Sequence, residues 1–404
     1  MAHPAVSSAA QVDAVAARAR PYALLAAGDA EGAHAPSNAV SLLAVAQSQL
    51  EGNVWNGQVT LYKASRPYDP VCELQLATGV GAMDWCGAHQ DTLVLGCDDG
   101  DVRLAKVAQA DGTSWTFEPV IGATSDWTGD DGAAAVTSLS TGRSHDDVVT
   151  GVSVSCVTET LLATCSWDLT LKLWDIGATD ETISTLEGHT DLIWDVATHP
   201  TYASLLCSAS QDMTVQVWDA RRPYSAALAV STLHPALSVD WHPTQSTVFS
   251  VGLEDGSVCT FDVRSPHTPL ARRETHKAAV HVVKYSPYHE DLLATGGDDG
   301  KAFVTSDGFS PDRTASRELC VGEEGRAPHR DYVRALAWFE STPVSPVSDA
   351  MKLDPMLATG SWDKSVHTWS AAEYTDSAVA ANLRPSPASL EATTTAGRLE
   401  VPVA

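Results

Sequence analysis

Basic residues are scarce in this chain of 404 residues, which has 25 Lys and Arg against 51 Asp and Glu and a formal net charge of −26. A surface this acidic repels nucleic-acid phosphates and anionic membranes, and it attracts basic partners. We therefore expect no direct contact with nucleic acid and none with a membrane. The high charge could also serve solubility alone, and the charge does not choose between these two interpretations.

Paired cysteines and long apolar runs are also missing. The eight cysteines form no C-x-x-C pair, and the chain has no N-x-Ser/Thr sequon, so we expect free buried thiols in a reducing compartment. No apolar run approaches the ~20 residues of a bilayer span. The Ala-rich start lacks the charged and continuous apolar regions of a secretory signal. The sequence predicts a cytoplasmic and nuclear location.

Signatures of catalysis are absent as well. The sequence contains no G-x-S-x-G elbow, no phosphate-binding loop and no H-E-x-x-H spacing. Its fourteen histidines open repeats or stand beside prolines at turns. The sequence therefore predicts a protein that is not an enzyme and that has no metal or cofactor of its own.

A repeat is what the sequence does contain. Short apolar strands end in tight polar turns at a spacing of about 43 residues, and Trp-Asp closes a strand at Trp174 and at Trp218. This period predicts an all-β fold, a seven-bladed WD-repeat β-propeller. Aligned on one polar residue, the seven turns fall at Asn56, Asp99, Asp168, Asp212, Asp255, Asp299 and Asp363.

The domain organisation follows from the repeat. Residues 1–37 form an N-terminal lead, residues 38–370 the propeller and residues 371–404 a tail whose Ala, Thr, Ser and Pro content predicts disorder. Insertions that we expect to be surface loops interrupt the period at 108–144, 308–328 and 340–355. Closure of the ring requires an outermost strand from the opposite terminus. Residues 1–20 and the stretch after Trp369 are both candidates.

Polar residues that recur in the repeats invite two interpretations. His189, Ser208 and Asp212 could be a catalytic triad, but a triad needs one set in a cleft with an oxyanion site rather than several copies around a ring. We favour a structural network of the kind that WD repeats bury in each blade. Its predicted members are His145, Asp168, Trp174, His189, Ser208, Asp212, Trp218, Asp255, Asp299 and Asp363.

Trp55 is the candidate interface residue. It precedes Asn56 as Trp167 precedes Asp168 and Trp362 precedes Asp363, so it could simply cover the neighbouring blade. An exposed tryptophan in a loop is also a common interface anchor, because it buries a large area at low entropic cost. Position alone leaves both interpretations open.

Three motifs are more particular than the generic repeat: HDDVV (145–149), WHPTQS-VF (241–249) and HRDYVR (329–334). Through five segments, three of which contain these motifs, the chain resembles the methylosome WD-repeat protein family from about Asn38 to Trp369. Members of that family are the partner subunit of the type II, symmetric-dimethylating protein arginine methyltransferase. The segments are EGNVWNGQVTLYK (51–63), HDDVVTGVSV (145–154), VWDARRP (217–223), VDWHPTQSTVFSVGLEDGSV (239–258) and HRDYVRALAW (329–338).

The resemblance implies a non-catalytic scaffold in a hetero-oligomer. The propeller would dock on the N-terminal barrel domain of the methyltransferase and help present Arg-rich substrates such as histone and Sm-protein tails. In the family a first-blade loop tryptophan enters a pocket on the enzyme. The matching position is Trp55, flanked by Asn53 and Val54.

Two alternatives remain, because a fold does not fix a function. The first is a WD-repeat substrate adaptor of another complex, such as a ubiquitin ligase or a peroxisomal import receptor. The second, which we rank lower, is a hydrolase similar to the diphthine methylesterase. A hydrolase would need an accessible nucleophile on a propeller face.

Overall fold

The computed structural model describes residues 6–7, 11–17, 42–51, 54–64, 70–86, 91–110, 114–118, 136–140, 143–158, 160–177, 182–290, 292–306, 319–320, 329–341 and 354–370. The predicted tail, 371–404, lies outside these residues, as do Asn53 and most of the N-terminal lead. Within the described ranges, no helix is long and apolar enough to cross a membrane.

The described residues form seven antiparallel sheets, which are the blades of a propeller. The prediction of an all-β, seven-bladed propeller is therefore confirmed. The strands in chain order are β1 (Val6–Ser7); β2 (Gln11–Ala17), β3 (Leu42–Glu51), β4 (Val54–Lys63) and β5 (Pro70–Leu76) in blade 1; β6 (Val80–Trp85), β7 (Thr92–Cys97), β8 (Val102–Ala110), β9 (Ser114–Glu118) and β10 (Thr137–Ser138) in blade 2; β11 (Val149–Val154), β12 (Leu161–Ser166), β13 (Thr170–Asp175) and β14 (Thr182–Glu187) in blade 3; β15 (Ile193–Thr198), β16 (Leu205–Ser210), β17 (Thr214–Asp219) and β18 (Leu228–Ser231) in blade 4; β19 (Ala236–Trp241), β20 (Val248–Leu253), β21 (Ser257–Asp262) and β22 (Ala271–Glu274) in blade 5; β23 (Val280–Tyr285), β24 (Leu292–Gly297), β25 (Ala302–Ser306) and β26 (Leu319–Cys320) in blade 6; and β27 (Val333–Ser341), β28 (Asp354–Ser361) and β29 (Ser365–Ser370) in blade 7.

Each sheet is apolar on both faces, so it must pack against a neighbour on each side. In β17, for example, Val215, Val217 and Trp218 are all buried. Separate clusters of buried apolar side chains fill the interfaces between successive blades. A further cluster, which includes Val12 of blade 1 and Phe339 of blade 7, joins the last blade to the first. The ring is therefore closed.

The N-terminal strands complete the closure. β1 pairs with β29, so that Val6 faces Val366 and becomes part of the outermost strand of blade 7. The chain then enters β2, the innermost strand of blade 1. One short segment thus spans the junction between the first and last blades.

The insertion at 108–144 differs from the surface loop that we expected. β9 and β10 both lie within it, and both pair with the outer edge of β8. β26, within 308–328, likewise pairs with β25. These strands cover outer edges that would otherwise carry unpaired backbone groups.

Candidate functional site

The polar residues of blade 4 form one connected, buried network. His189 Nδ1 lies 2.8 Å from Asp212 Oδ2, and its Nε2 lies 2.7 Å from Ser208 Oγ. The indole N–H of Trp218 donates to the same hydroxyl at 2.9 Å. The side chain of His189 and the whole of Ser208 have no solvent exposure. A serine held in this way is not an accessible nucleophile.

Blade 3 has the same arrangement. His145 contacts Asp168 at 2.8 Å and Thr164 at 2.8 Å, and Trp174 donates to Thr164 at 2.9 Å. Burial alone would raise the pKa of Asp168, but hydrogen bonds from His145 and Thr170 outweigh it and hold that pKa well below its usual range. The carboxylate is therefore ionised and fully engaged in joining the turn to the start of its blade.

Blades 6 and 7 keep the histidine and aspartate of the network. His276 lies 2.9 Å from Asp299, and its other ring nitrogen lies 2.9 Å from Thr295. His329 lies 3.3 Å from Asp363. These pairs have the geometry that a structural clamp needs, since both ring nitrogens of each histidine are occupied.

Blade 5 differs from the prediction, because Asp255 takes no part in a buried network. Its carboxylate forms an ion pair with Arg272 at 2.6 Å and lies 3.4 Å from His234, which is 45% exposed. The serine of the middle strand, Ser250, bonds to Tyr285 of blade 6 instead, at 2.7 Å. No buried histidine among the described residues donates to Asp255, and its carboxylate therefore stays at the surface.

The β3–β4 hairpin of blade 1 extends beyond the turns of the other blades. Gln47 aligns with Ser166 of blade 3, because the two face equivalent positions, Val12 and Val149, beside a bulge in the inner strand. Residues 48–57 therefore stand where blade 3 has only residues 167–169 between its strands. Strand pairing continues along this extension as far as Glu51 and Val54.

This register corrects the alignment of the first turn. Asn56 is not a turn residue, since it lies in β4 and pairs with Gln49. The position that aligns with Trp167 is Ser48, so Trp55 does not correspond to Trp167 or Trp362. Trp55 and Val54 are the second and first residues of β4, in the extension.

The inner strands meet around the axis, and each of them carries a β-bulge near its start. A bulge leaves one residue unpaired and re-aims its side chain, and here the bulged residues of all seven blades line one cavity of about 520 Å³. We call these residues the bulge ring. They are Asp13, Gly81, Thr150, Trp194, Leu237, His281 and Arg334.

Sequence reasoning missed the bulge ring, although a signal for it exists. In each blade that opens with a buried histidine, the residue of the bulge ring is the fifth residue after that histidine. Trp194 follows His189 in this way, and Arg334 follows His329. A bulge breaks the alternation that identifies strand faces. These side chains were therefore not recognised as a set.

Residues of the turns between the second and third strands complete the cavity wall. Trp167, Trp362 and Asp98 each precede a turn aspartate and line the cavity. The ring centroids of Trp167 and Trp194 are 5.4 Å apart, edge to face. Trp362 donates its indole N–H to Asp13 Oδ1 at 2.9 Å.

One wall of the cavity is neutralised internally. The guanidinium of Arg334 stacks on Trp362, 4.6 Å from the ring centroid, and donates to His281 Nδ1 at 2.7 Å. His281 in turn donates from Nε2 to Asp298 Oδ2 at 3.0 Å. Burial lowers the pKa of His281, which agrees with a neutral imidazole that accepts on one nitrogen and donates from the other.

The adjacent wall, formed by blades 1 and 2, is acidic and incompletely satisfied. Burial raises the pKa of Asp13 to about 7, against hydrogen bonds from Ser48 and Trp362, and the charge of Asp98 adds to the rise. Oδ2 of Asp13 is buried without a hydrogen-bond partner among the described residues. Burial also raises the pKa of Asp98. No group of three or more His, Cys, Asp or Glu side chains in the described part of the chain could hold a metal ion.

Comparison with known proteins agrees with this geometry. The family model "WD domain, G-beta repeat" matches residues 136–175, 180–219 and 326–370, which fall in blades 3, 4 and 7. The chain is 23% identical to the methylosome protein WDR77 of Xenopus laevis over 301 residues, covering 73% of this chain and 79% of that protein.

Two further relatives belong to other systems. The peroxisomal targeting signal 2 receptor of Schizosaccharomyces pombe is 26% identical over 229 residues, 57% of this chain and 68% of the receptor. The EARP-interacting protein 1 of Caenorhabditis elegans is 32% identical over 73 residues, which cover 18% of this chain and 20% of that protein. The fold is therefore a seven-bladed β-propeller, and three of its blades match the WD-repeat model.

Proposed function

We propose that this chain is the non-catalytic scaffold subunit of a protein arginine methyltransferase complex, and that it docks through the β3–β4 hairpin of blade 1. The observation that carries the proposal is the extension at residues 48–57, which contains Trp55 and has no counterpart in blades 3 and 4. The similarity to the methylosome protein WDR77 covers most of both chains. It supports a type II methyltransferase as the partner.

The polar chemistry of the blades agrees with a binding role. The Ser, His and Asp residues that resemble a triad are buried in blade 4 and occupied by one another. The net charge of −26 favours basic polypeptides such as histone and Sm-protein tails. In this proposal the methyltransferase supplies the chemistry, and the propeller positions the enzyme and its basic substrates.

Trp55→Ala tests the docking hairpin. We expect the affinity for a co-expressed type II methyltransferase to fall by at least about tenfold, as for a tryptophan at the centre of an interface. Tyr224→Ala is the matched control, because Tyr224 is 95% exposed and lies between β17 and β18, at the opposite end of the strands. Unchanged affinity in Trp55→Ala would exclude Trp55 as the anchor. Failure of the wild-type chain to bind the enzyme would overturn the proposed function.

The second candidate is an adaptor of an import or degradation complex. The similarity to the peroxisomal targeting signal 2 receptor favours it over the hydrolase. Affinity purification of the full chain distinguishes the methyltransferase scaffold from the adaptor of an import or degradation complex. Recovery of import machinery or a ligase scaffold in place of a methyltransferase would support the second candidate.

A further inference from the structure

The β3–β4 hairpin leaves blade 1 at a single pair of residues, Ser48 and Gly57, which face each other across the two strands. Ser48 is the outermost residue of β3 that pairs with β2, and Gly57 is the outermost residue of β4 that pairs with β5. Beyond this pair, among the residues that the structure describes, 49–51 and 54–56 pair only with each other. We call the Ser48–Gly57 pair the root of the hairpin.

Gly57 makes a contact that turn glycines make in other blades. A Cβ at Gly57 would lie 2.2 Å from the carbonyl oxygen of Thr78, which belongs to the connection between β5 and β6. In blades 2, 5 and 6 a turn glycine meets the carbonyl of the next blade's opening histidine in the same way; these glycines are Gly100, Gly256 and Gly300. All three have a left-handed φ, whereas Gly57 lies within strand β4. Blade 1 therefore keeps this contact between blades and continues its hairpin past it.

Gly79, at the end of the same connection, packs against the other strand of the root. A Cβ at Gly79 would lie 3.2 Å from Oγ of Ser48 and 2.1 Å from Oδ2 of Asp98. The backbone N–H of Asp98 donates to the carbonyl of Gly79 at 3.0 Å, so the connection is bonded to the turn of blade 2. Ser48 also hydrogen-bonds to Asp13. Both strands of the root are therefore held in place by their neighbours.

The part of the hairpin beyond the root is a two-stranded ribbon. Such ribbons twist more than wider sheets and are marginally stable alone, so the last pair that is flanked on both sides sets their direction. Trp55 stands two residues beyond Gly57, which is ~7 Å along the strand. Because a binding side chain must be held within about 0.5 Å of its productive position, a small displacement of the root is enough to misplace Trp55.

From these contacts we infer that Gly57 and Gly79 are positioning residues of the docking hairpin. Because they lack side chains, the connection at 77–79 packs directly against the root, and this packing fixes the direction in which the hairpin leaves the propeller. The docking hairpin is thus an arm supported by blade 2. The inference rests on the proposed function for the partner, a type II methyltransferase, and on the contacts of the root for the positioning.

Hydrogen exchange of the full chain without a partner tests the positioning. In Gly57→Ala the new Cβ overlaps a backbone carbonyl and must displace it, so we expect amides at 49–51 and 54–56 to exchange at least about fivefold faster. Gly252→Ala of blade 5 is the matched control, since its Cβ would lie 2.8 Å from the carbonyl oxygen of Val280. It should leave exchange in the hairpin unchanged. Unchanged exchange in Gly57→Ala, or equal acceleration by both variants, would overturn the inference.

The affinity for a co-expressed type II methyltransferase tests whether the positioning serves docking. Gly57→Ala should weaken binding by about tenfold, and Gly252→Ala should bind as the wild type does. A double-mutant cycle with Trp55→Ala adds a readout that a general loss of stability would not change. If Gly57 acts by positioning Trp55, the loss in the double variant is smaller than the product of the two single losses. Losses that multiply would overturn the inference.

Gly79→Ala decides the outcome if Gly57→Ala does not fold. Its Cβ meets the carboxylate of Asp98, a side chain that can move, rather than a backbone carbonyl. This variant should also accelerate exchange in the hairpin and weaken binding, and wild-type values of both would overturn the inference. Faster exchange with unchanged affinity would overturn it as well, because the direction of the hairpin would not matter to the partner. A wild-type chain that binds no methyltransferase would instead overturn the proposed function, while the exchange data would still decide the positioning.

Discussion

Blade 4 and blade 1 hold a carboxylate at the same end of the ring in opposite ways. Asp212 of blade 4 accepts hydrogen bonds from His189, from Thr214 and from the backbone of Thr190, and despite burial its pKa lies well below the usual range. Asp13 of blade 1 has one oxygen that no residue in the described part of the chain bonds, and its pKa is raised to about 7. Satisfied polar groups thus mark where a repeat maintains the ring, whereas a buried oxygen without a donor lowers stability.

The hairpins of these two blades also differ, because a buried network holds the turn in blade 4 and not in blade 1. In blade 4 the turn at 211–213 is clamped by the buried network, whereas blade 1 has Gln49 at the position of Asp212 and extends outward over residues 48–57. Gln49 is exposed. Loss of the clamp does not by itself lengthen a hairpin, since blade 5 keeps a short turn at 254–256. The extension is therefore a separate feature of blade 1.

The largest effect that we expect comes from breaking the clamp. Asp212→Ala should lower the free energy of unfolding by about 3 kcal/mol, because the buried ring of His189 loses its charged partner. Urea unfolding at pH 7 measures the change. The matched control is Gln49→Ala, at the aligned position of blade 1, which should change the free energy by less than about 0.5 kcal/mol. Similar losses in both variants would contradict the distinction between the blades.

Blade 4 also shows how much of the fold the sequence predicts. The alternating residues of TVQVWD and the Gln211–Asp212 turn predict strands at 205–210 and 214–219, and the structure has both with these bounds. The apolar run after Gly188–Asp191 predicts the inner strand at 192–197, and in the structure this strand lies at Ile193–Thr198. Prediction succeeds here because alternation, turn chemistry and the buried network all indicate the same register.

Blade 1 and the axial site could not be predicted in the same way. Trp55 and Asn56 resemble a turn motif in sequence, but pairing of the whole hairpin overrides the motif. The bulge ring depends on which residue each inner strand leaves unpaired, and a shift of one residue sends a side chain to the other face. The proximity of Asp13 to Asp98 also depends on how blades 1 and 2 pack against each other, which no local pattern records.

The contributions of Asp13 and Asp212 to the free energy of unfolding should change with pH in opposite directions, because the pKa of Asp13 is raised and that of Asp212 is lowered. The folded pKa of Asp13, about 7, lies above the ordinary value of 3.8. The raised pKa therefore lowers the stability of the fold as pH rises. This loss is absent below about pH 4 and grows up to about pH 7. Between pH 5 and pH 8 the wild type should lose about 2 kcal/mol more than Asp13→Asn.

Thermal or urea unfolding of both proteins at several pH values measures this difference. Asp146→Asn, which removes an exposed carboxylate, should keep the pH dependence of the wild type. Parallel curves for Asp13→Asn and the wild type would show that the fold does not raise the pKa of Asp13. The contrast with Asp212 would then disappear.

The smallest effect concerns the turn that blade 4 has and blade 1 has replaced. Met213 adopts a left-handed φ of 62°. This conformation costs a residue with a Cβ about 1 kcal/mol. Glycine avoids that cost but loses more backbone entropy on folding, so only part of the energy is regained. Met213→Gly should therefore raise the free energy of unfolding by about 0.5 kcal/mol, because the side chain is 47% exposed and buries little. In blade 5, Gly256→Ala should have the opposite sign, since a Cβ there would lie 2.4 Å from the carbonyl oxygen of His276. Urea unfolding of both variants measures the pair. A loss of stability in Met213→Gly would mean that the exposed methionine makes contacts that hold the turn of blade 4, as the hydrogen-bonded network does beneath it.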